Sequence, residues 1–121
     1  METLTYHMSL ILFSEKKCFG PGPMQLLKGV ERTGSLHQSA DEMGMAYSKA
    51  WKIMKEMEKN LGFPLLLRQA GGIHGGGSVL TQKGGYFLKK YETMLKKIKE
   101  FSDEVFEETF DQDFFEEINK I

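Results

Sequence analysis

Cysteine occurs once in this sequence, at Cys18, which excludes an intrachain disulfide framework and fits a reducing compartment. The apolar runs are short. Residues 10–13 form one of the longest, far below what a membrane span needs. The first residues lack the basic start, long apolar centre and small-residue cleavage site of a secretory leader, so the expected location is cytoplasmic. Soft metal ligands are equally scarce. His7, His37, His74 and Cys18 are the candidates, and no two stand at ligand spacing, so no metal is expected. Residues 71–77 hold five glycines but are followed by Ser78-Val79-Leu80, not by the Lys-Ser/Thr of a phosphate cradle, so nucleotide binding is not expected. The paired carboxylates near the C-terminus read as a solvated surface. Without a catalytic constellation, neither an enzyme nor a cofactor is expected.

The net charge of −1 is close to neutral, yet the charges are sorted along the chain. Residues 1–99 carry 15 Lys+Arg against 8 Asp+Glu, and residues 100–121 carry 1 against 9. A basic body followed by an acidic tail attracts polyanions to the body, because neutralising phosphates releases condensed counterions.

Hydrophobic periodicity then orders the chain, and no internal repeat appears. Over residues 4–13, Leu4, Tyr6, Met8, Leu10 and Leu12 alternate with Thr5, His7 and Ser9, a period of two that predicts a strand. The polar residues 14–17 predict a hairpin turn, with Cys18-Phe19 as the return. A first helix is predicted over residues 23–33, burying Met24, Leu27 and Val30 and stopping at Gly34. A second opens at Ser35, where Gln38 three residues on completes a capping-box spacing. Leu36, Ala40 and Met43 face its core side, and Gly44 supplies the tight turn after it. A third helix is predicted over residues 46–60. Ala50, Ile53, Met54, Met57 and Leu61 form its inner stripe, and Ser48, Lys49, Lys52, Lys55 and Lys59 lie outside. Strand candidates at residues 65–68 and 78–80 flank the glycine loop. Thr81 suits the N-cap of a last helix, along which Phe87, Tyr91, Met94, Ile98, Phe101 and Val105 are spaced 4, 3, 4, 3, 4. That seam fails at Glu108; beyond it Phe106, Phe110, Phe114, Phe115 and Ile118 allow helix on another face.

A short capped helix, a glycine turn, a lysine-bearing helix and a glycine-tipped hairpin together make a helix-turn-helix with a wing. That device sets one helix in the DNA major groove while a hairpin grips the flank. Tyr47, Ser48, Lys49 and Lys52 are the candidates for base readout. Ser35, His37 and Lys55 are the candidates for phosphates, and Arg68 and His74 for the wing. Trp51 is assigned to the core between helices. The 4-3 seam of Phe87, Tyr91, Met94, Ile98, Phe101 and Val105 points to a homodimer through the last helix.

On these residues the chain resembles the N-terminal winged helix-turn-helix domain of molybdate-responsive transcription regulators of the ModE type, related to the LysR-type DNA-binding domain. The resemblance rests on Leu26-Leu27, Gly34-Ser35-Leu36, Ala40, Met43-Gly44, Tyr47, Ala50-Trp51, Pro64-Leu65, Arg68, Gly71-Gly72, Gly75-Gly76-Gly77, Leu80-Thr81 and Gly84. It implies double-stranded DNA binding and dimerisation. Ala46 stands where that family usually caps the recognition helix with serine. Nothing after Thr81 resembles an oxyanion site, so molybdate sensing is not carried over and no molybdate site is expected here.

The expected fold is mainly α with a small β component: a winged helix-turn-helix with an N-terminal strand or hairpin and a long C-terminal dimerisation helix. The expected division is a DNA-binding domain over residues 1–84 and a C-terminal helix with acidic tail over residues 85–121. The expected function is a sequence-specific transcription regulator binding a palindromic site as a dimer. Two rivals stand beside it: a protein-interaction module whose acidic aromatic tail docks a partner, and a small-molecule sensor with its ligand at the dimer interface.

Overall fold

A computed structural model describes residues 3–69 and 77–121 and is a small winged helix with two two-stranded antiparallel sheets and five helices among those residues. The chain forms two compact units. One is Ser9–Lys89; the other combines residues 3–8 with Lys90–Ile121.

In the first unit, β1 (Leu12–Ser14) pairs antiparallel with β2 (Lys16–Phe19), and Glu15 turns between them at φ 62°. The strand expected over residues 4–13 is therefore cut to its last residues. Burial still alternates, with Leu4, Tyr6, Leu10 and Leu12 partly covered while Thr5, His7, Ser9, Ile11 and Phe13 are exposed; Met8 breaks the pattern by being exposed. A strand needs a ladder partner, and β2 reaches only β1 before Gly20 and Pro21 begin a helix.

That helix, α1 (Pro21–Thr33), starts two residues earlier than expected, because Pro21 already has the fixed φ of a first helical turn. It buries Pro23, Leu26, Leu27 and Val30, at i, i+3, i+4 and i+7; Met24, expected inside, is only partly covered. Gly34 ends α1 in the left-handed region at φ 73°, its N–H donating to the Val30 carbonyl at 2.7 Å. Helix α2 (Leu36–Glu42) follows at once, with Ser35 Oγ accepting from the Gln38 N–H at 3.1 Å. Only half of the expected capping box forms: the Ser35 N–H donates to Thr33 Oγ1 at 3.2 Å, not to the Gln38 side chain. Leu36 and Ala40 are buried. Met43, expected to face the core, is 38% exposed because α2 ends at Glu42 and Gly44 turns the chain at φ 65°.

Helices α1 and α2 meet at Gly29 and Ser39. Ser39 Oγ donates to the Leu26 carbonyl at 2.8 Å, and a Cβ placed on Gly29 would lie 2.0 Å from Ser39 Oγ and 2.6 Å from Ser39 Cβ. At the surface the Arg32 guanidinium forks across the Glu42 carboxylate, with Nη1 donating to Oε1 at 3.0 Å and Nη2 to Oε2. Those hydrogen bonds hold Glu42 below, and Arg32 above, their ordinary pKa values.

Helix α3 (Tyr47–Leu61) follows, with Ala50, Met54 and Met57 buried. The wing is β3 (Leu66–Gln69) paired with β4 (Gly77–Leu80), Arg68 opposite Ser78. Helix α4 (Gln82–Thr109) is capped by Thr81, whose Oγ1 accepts from the Gly84 N–H at 2.8 Å. The core of this unit adds Phe19 and Leu65, both fully buried, with Phe87 packed edge-on to Phe19 at 4.8 Å and to Phe63 at 5.7 Å. Burying leucine-sized side chains is worth about 1.5–3 kcal/mol each. Cys18 is also buried, which pushes its thiol pKa up and makes it a poor nucleophile.

In the second unit, Tyr6 sits against α4. Its hydroxyl meets Ser102 Oγ at 2.6 Å and donates to Asp103 Oδ1, and its ring lies 4.9 Å from Phe106. Lys99 Nζ donates to the same Asp103 oxygen at 2.7 Å, holding that carboxylate below its ordinary range. The tail is a separate helix, α5 (Gln112–Lys120), opened by Asp111, whose Oδ1 accepts from the Phe114 N–H at 2.9 Å. Phe106, Phe110, Phe114 and Phe115 form a row of rings with neighbouring centroids 5.0–5.4 Å apart.

Gly29→Ala is expected to destabilise the chain by about 1–3 kcal/mol, because an extra methyl drives backbone-linked atoms of α1 and α2 apart. Thermal unfolding measures it, and an unchanged midpoint would show that the contact between the two helices is loose.

Candidate nucleic-acid interface

The helix-turn-helix leaves one side of α3 uncovered. Ala50, Met54 and Met57 anchor the helix inward, so residues at intervening positions turn outward by the 3.6-residue period. Ser48, Lys49, Lys52 and Lys55 are exposed, and Tyr47 is 36% exposed at the first turn. Ser48, Lys49, Lys52, Ile53 and Glu56 line an open groove along the helix. A second depression, lined by Lys16, Lys52, Lys55, Glu56, Lys59 and Asn60, continues it toward the β1–β2 hairpin. Asn60 fixes that hairpin by donating from Nδ2 to the Lys17 carbonyl at 2.8 Å. Lys16 and Lys59 thus extend the basic strip. Lys59 was legible on the outer face of the third helix, whereas Lys16 had no sequence signal, because the hairpin meets α3 only through the fold.

Ala46 caps α3 without a side-chain hydrogen bond. The first-turn N–H groups keep their partial positive charge, which reinforces the lysines beside them.

Ser35 is half-buried and already used as the cap of α2. His37 is exposed one residue into that helix; its Nδ1 lies 3.4 Å from Asp41 Oδ2 and its ring 5.0 Å from that of Tyr47. His37 and Tyr47 therefore come together across the glycine turn, joining the α2 start to the α3 start. Arg68 lies on β3 with its guanidinium carbon 4.5 Å from the centre of the Trp51 ring. His74 lies outside the described residues. The other eight candidates all fall in the first unit, on α2, α3 and β3 or at the cap of α2.

Trp51 is not enclosed between helices as expected. It is half-buried on the flank of α3, one turn after Tyr47 and one before Lys55, under Arg68. The i, i+4 spacing of Tyr47, Trp51 and Lys55 was legible; the arrival of Arg68 from the wing was not.

The wing is held to this surface at both ends. Glu58 Oε2 accepts from the Leu65 and Leu66 N–H groups at 2.7 and 3.1 Å, tying the start of β3 to α3. The Ser78 N–H donates to the Gly34 carbonyl at 2.9 Å, tying β4 to the turn before α2. Gly77 permits that approach, since a Cβ there would fall 2.6 Å from Gly34 O. Among the described residues no group of three His, Cys, Asp or Glu is arranged to hold a metal. No described helix is long and apolar enough to cross a membrane.

A positive helix face flanked by a tethered two-stranded wing has a known counterpart. Residues 23–85 match the family model of bacterial regulatory helix-turn-helix proteins of the lysR family. The chain belongs to that family. It is also similar to the DNA-binding transcriptional dual regulator ModE of Escherichia coli K12, with 35% identity over 86 residues, 70% of this chain and 33% of that protein. The molybdenum-pterin-binding protein MopB of Rhodobacter capsulatus is 36% identical over 72 residues, 60% of this chain and 27% of MopB. The chain thus spans about a third of the length of such relatives. Among solved structures, a chain of the CbnR_DBD-DNA complex superposes with a TM-score of 0.56 at 23% identity, over 69% of this chain and 91% of that one. That likeness confirms the winged-helix fold.

Glu58→Ala is expected to cost about 1–3 kcal/mol, since it leaves two N–H groups at the start of β3 without their carboxylate. Urea unfolding is the check; a midpoint equal to that of the unaltered chain would mean the wing does not depend on Glu58.

Proposed function

We propose that this chain is a sequence-specific DNA-binding transcription regulator. The observation that carries the reading is the open lysine face of α3, backed by buried Ala50, Met54 and Met57 and flanked by Arg68 of the wing. Tyr47, Ser48, Lys49 and Lys52 read base edges in the major groove, where a helix fits and each base pair presents its own donor and acceptor pattern. Ser35, His37 and Lys55 meet phosphates, and Arg68 and His74 serve the flank. Names of the relatives agree: the ModE proteins are transcriptional regulators, and the CbnR structure is a DNA complex.

The same proposal includes a homodimer through α4, with residues 1–84 as the DNA-binding part and residues 85–121 as the dimerisation helix and tail. Along the 4-3 seam, Phe87 packs against Phe19 and Phe63 and Tyr91 is buried. Met94, Phe101 and Val105 are 46%, 67% and 42% exposed, and Ile98 is partly covered. Large apolar residues at this spacing and exposure favour a second copy of the helix as their cover. A two-fold dimer sets its recognition helices about 34 Å apart or a multiple of that, which calls for a palindromic site.

Selection of bound duplexes from a random pool tests the function. The expected product is an inverted repeat with half-sites about one or two helical turns apart; recovery of unrelated sequences would overturn sequence specificity. On the selected site, Lys52→Ala is expected to weaken binding by about 1–3 kcal/mol in a salt-controlled titration. Equal affinity would remove Lys52 from the interface. Phe101→Glu is expected to yield monomers by sedimentation, and a persistent dimer would exclude the α4 seam.

A further inference from the structure

We propose that Trp51 is a positioning residue that gathers Arg68 and Lys55 into one phosphate-binding subsite, joining the recognition helix to the wing. The proposal rests on the DNA-binding reading and names the part of the duplex that this corner takes, the sugar-phosphate backbone.

Three side chains, from two elements of the same unit, converge on one ring. Arg68 comes from β3, with its guanidinium carbon 4.5 Å from the Trp51 ring centre. Lys55, one helical turn beyond Trp51, puts Nζ 5.3 Å from that centre. Tyr47, one turn before, meets the indole edge-on at 6.3 Å and is itself 5.0 Å from His37. An indole face is the best aromatic partner for a cation, so the ring draws in two positive groups that would otherwise separate. A guanidinium laid on a ring keeps its N–H donors pointing sideways in its own plane, free to fork onto two oxygens of a phosphate.

The indole contributes surface and not a hydrogen bond. Its Nε1 atom is buried and has no hydrogen-bond partner among the described residues. The donor edge is therefore turned inward, and the π-face is what remains for Arg68. Lys55 is partly satisfied by Glu58, 3.6 Å from its Nζ, while the other oxygen of Glu58 holds the start of β3. That carboxylate keeps both the strand and Lys55 in register with the ring. No described carboxylate is paired with Arg68, and Arg68 and Lys55 bring two positive groups to within 4.5 and 5.3 Å of the centre of the same ring. The acceptor chemistry is a backbone phosphate, because a base edge offers no charge to offset two cations.

Trp51 is the only tryptophan in the chain, so its emission reports the stack directly. In the intact protein without DNA, Arg68→Ala is expected to change Trp51 emission, and an unchanged spectrum overturns the stack. On the selected duplex, Trp51→Leu is expected to reduce affinity about three- to thirtyfold and to lower the salt slope by about one, as Arg68→Ala does. In the Arg68→Ala background, Trp51→Leu is expected to cost at most a third of that fold-change. Trp51→Phe, which keeps a ring, is expected to recover most of the affinity, with thermal unfolding showing that each variant is folded. Independent, multiplying losses overturn the subsite while leaving DNA binding intact. If the unaltered chain shows no salt-dependent duplex binding, the DNA-binding reading fails and the subsite with it.

Discussion

The hydrogen bond from the Ser78 N–H to the Gly34 carbonyl, 2.9 Å long, relates the wing to the helix-turn-helix. The wing's share of the proposed interface needs that relation, because Arg68 sits opposite Ser78 on the neighbouring strand. The bond exists because two backbones come closer than side chains allow. Gly34 is already committed to a left-handed φ of 73° to stop α1, and Gly77 has no Cβ to strike its carbonyl. A residue with a side chain at 77 would push β4 away from the turn and carry Arg68 off the Trp51 ring.

The second constraint is the close crossing of α1 and α2 at Gly29 and Ser39, where a hydroxyl replaces an apolar contact and binds the Leu26 carbonyl. It fixes where α2 points, and the short turn through Gly44 then fixes α3. The basic face is exposed as a consequence: once Ala50, Met54 and Met57 are taken by the core, Lys49, Lys52 and Lys55 have nowhere else to go. Electrostatics did not shape the fold here. Packing set the helix, and the lysines occupy what was left.

The two ends of the chain are organised differently. Tyr6 engages α4 through Ser102, Asp103, Lys99 and Phe106, so an extended segment with no ladder is held by side chains instead. The acidic residues past Glu100 sit on α4 and α5 around a row of phenylalanines, with Ile118 and Ile121 left exposed. The lysine-bearing α3 belongs to one structural unit, and the acidic residues past Glu100, on the end of α4 and on α5, belong to the other.

Local chemistry was readable from the sequence wherever a residue acts on its neighbours. Gly34 and Gly44 as stops, Ser35 and Thr81 as caps, the period of α3 and the hairpin before α1 all depend on contacts within a few residues. The readings that failed did so where an element ended or another contact took over. Residues 4–11 alternate like a strand but lie outside the β1–β2 ladder; Met43 has an inward phase but lies past the end of its helix; Gln38 is one half of a capping box whose other half is supplied by Thr33. Trp51 is the clearest case. The sequence reading assigns Trp51 to the core between helices, and its neighbours at four-residue spacing say only which face it shares. That Arg68 folds back over it was decided by the tertiary structure, because the 16 residues between them close up only when Glu58 and Gly34 hold the two ends of the wing.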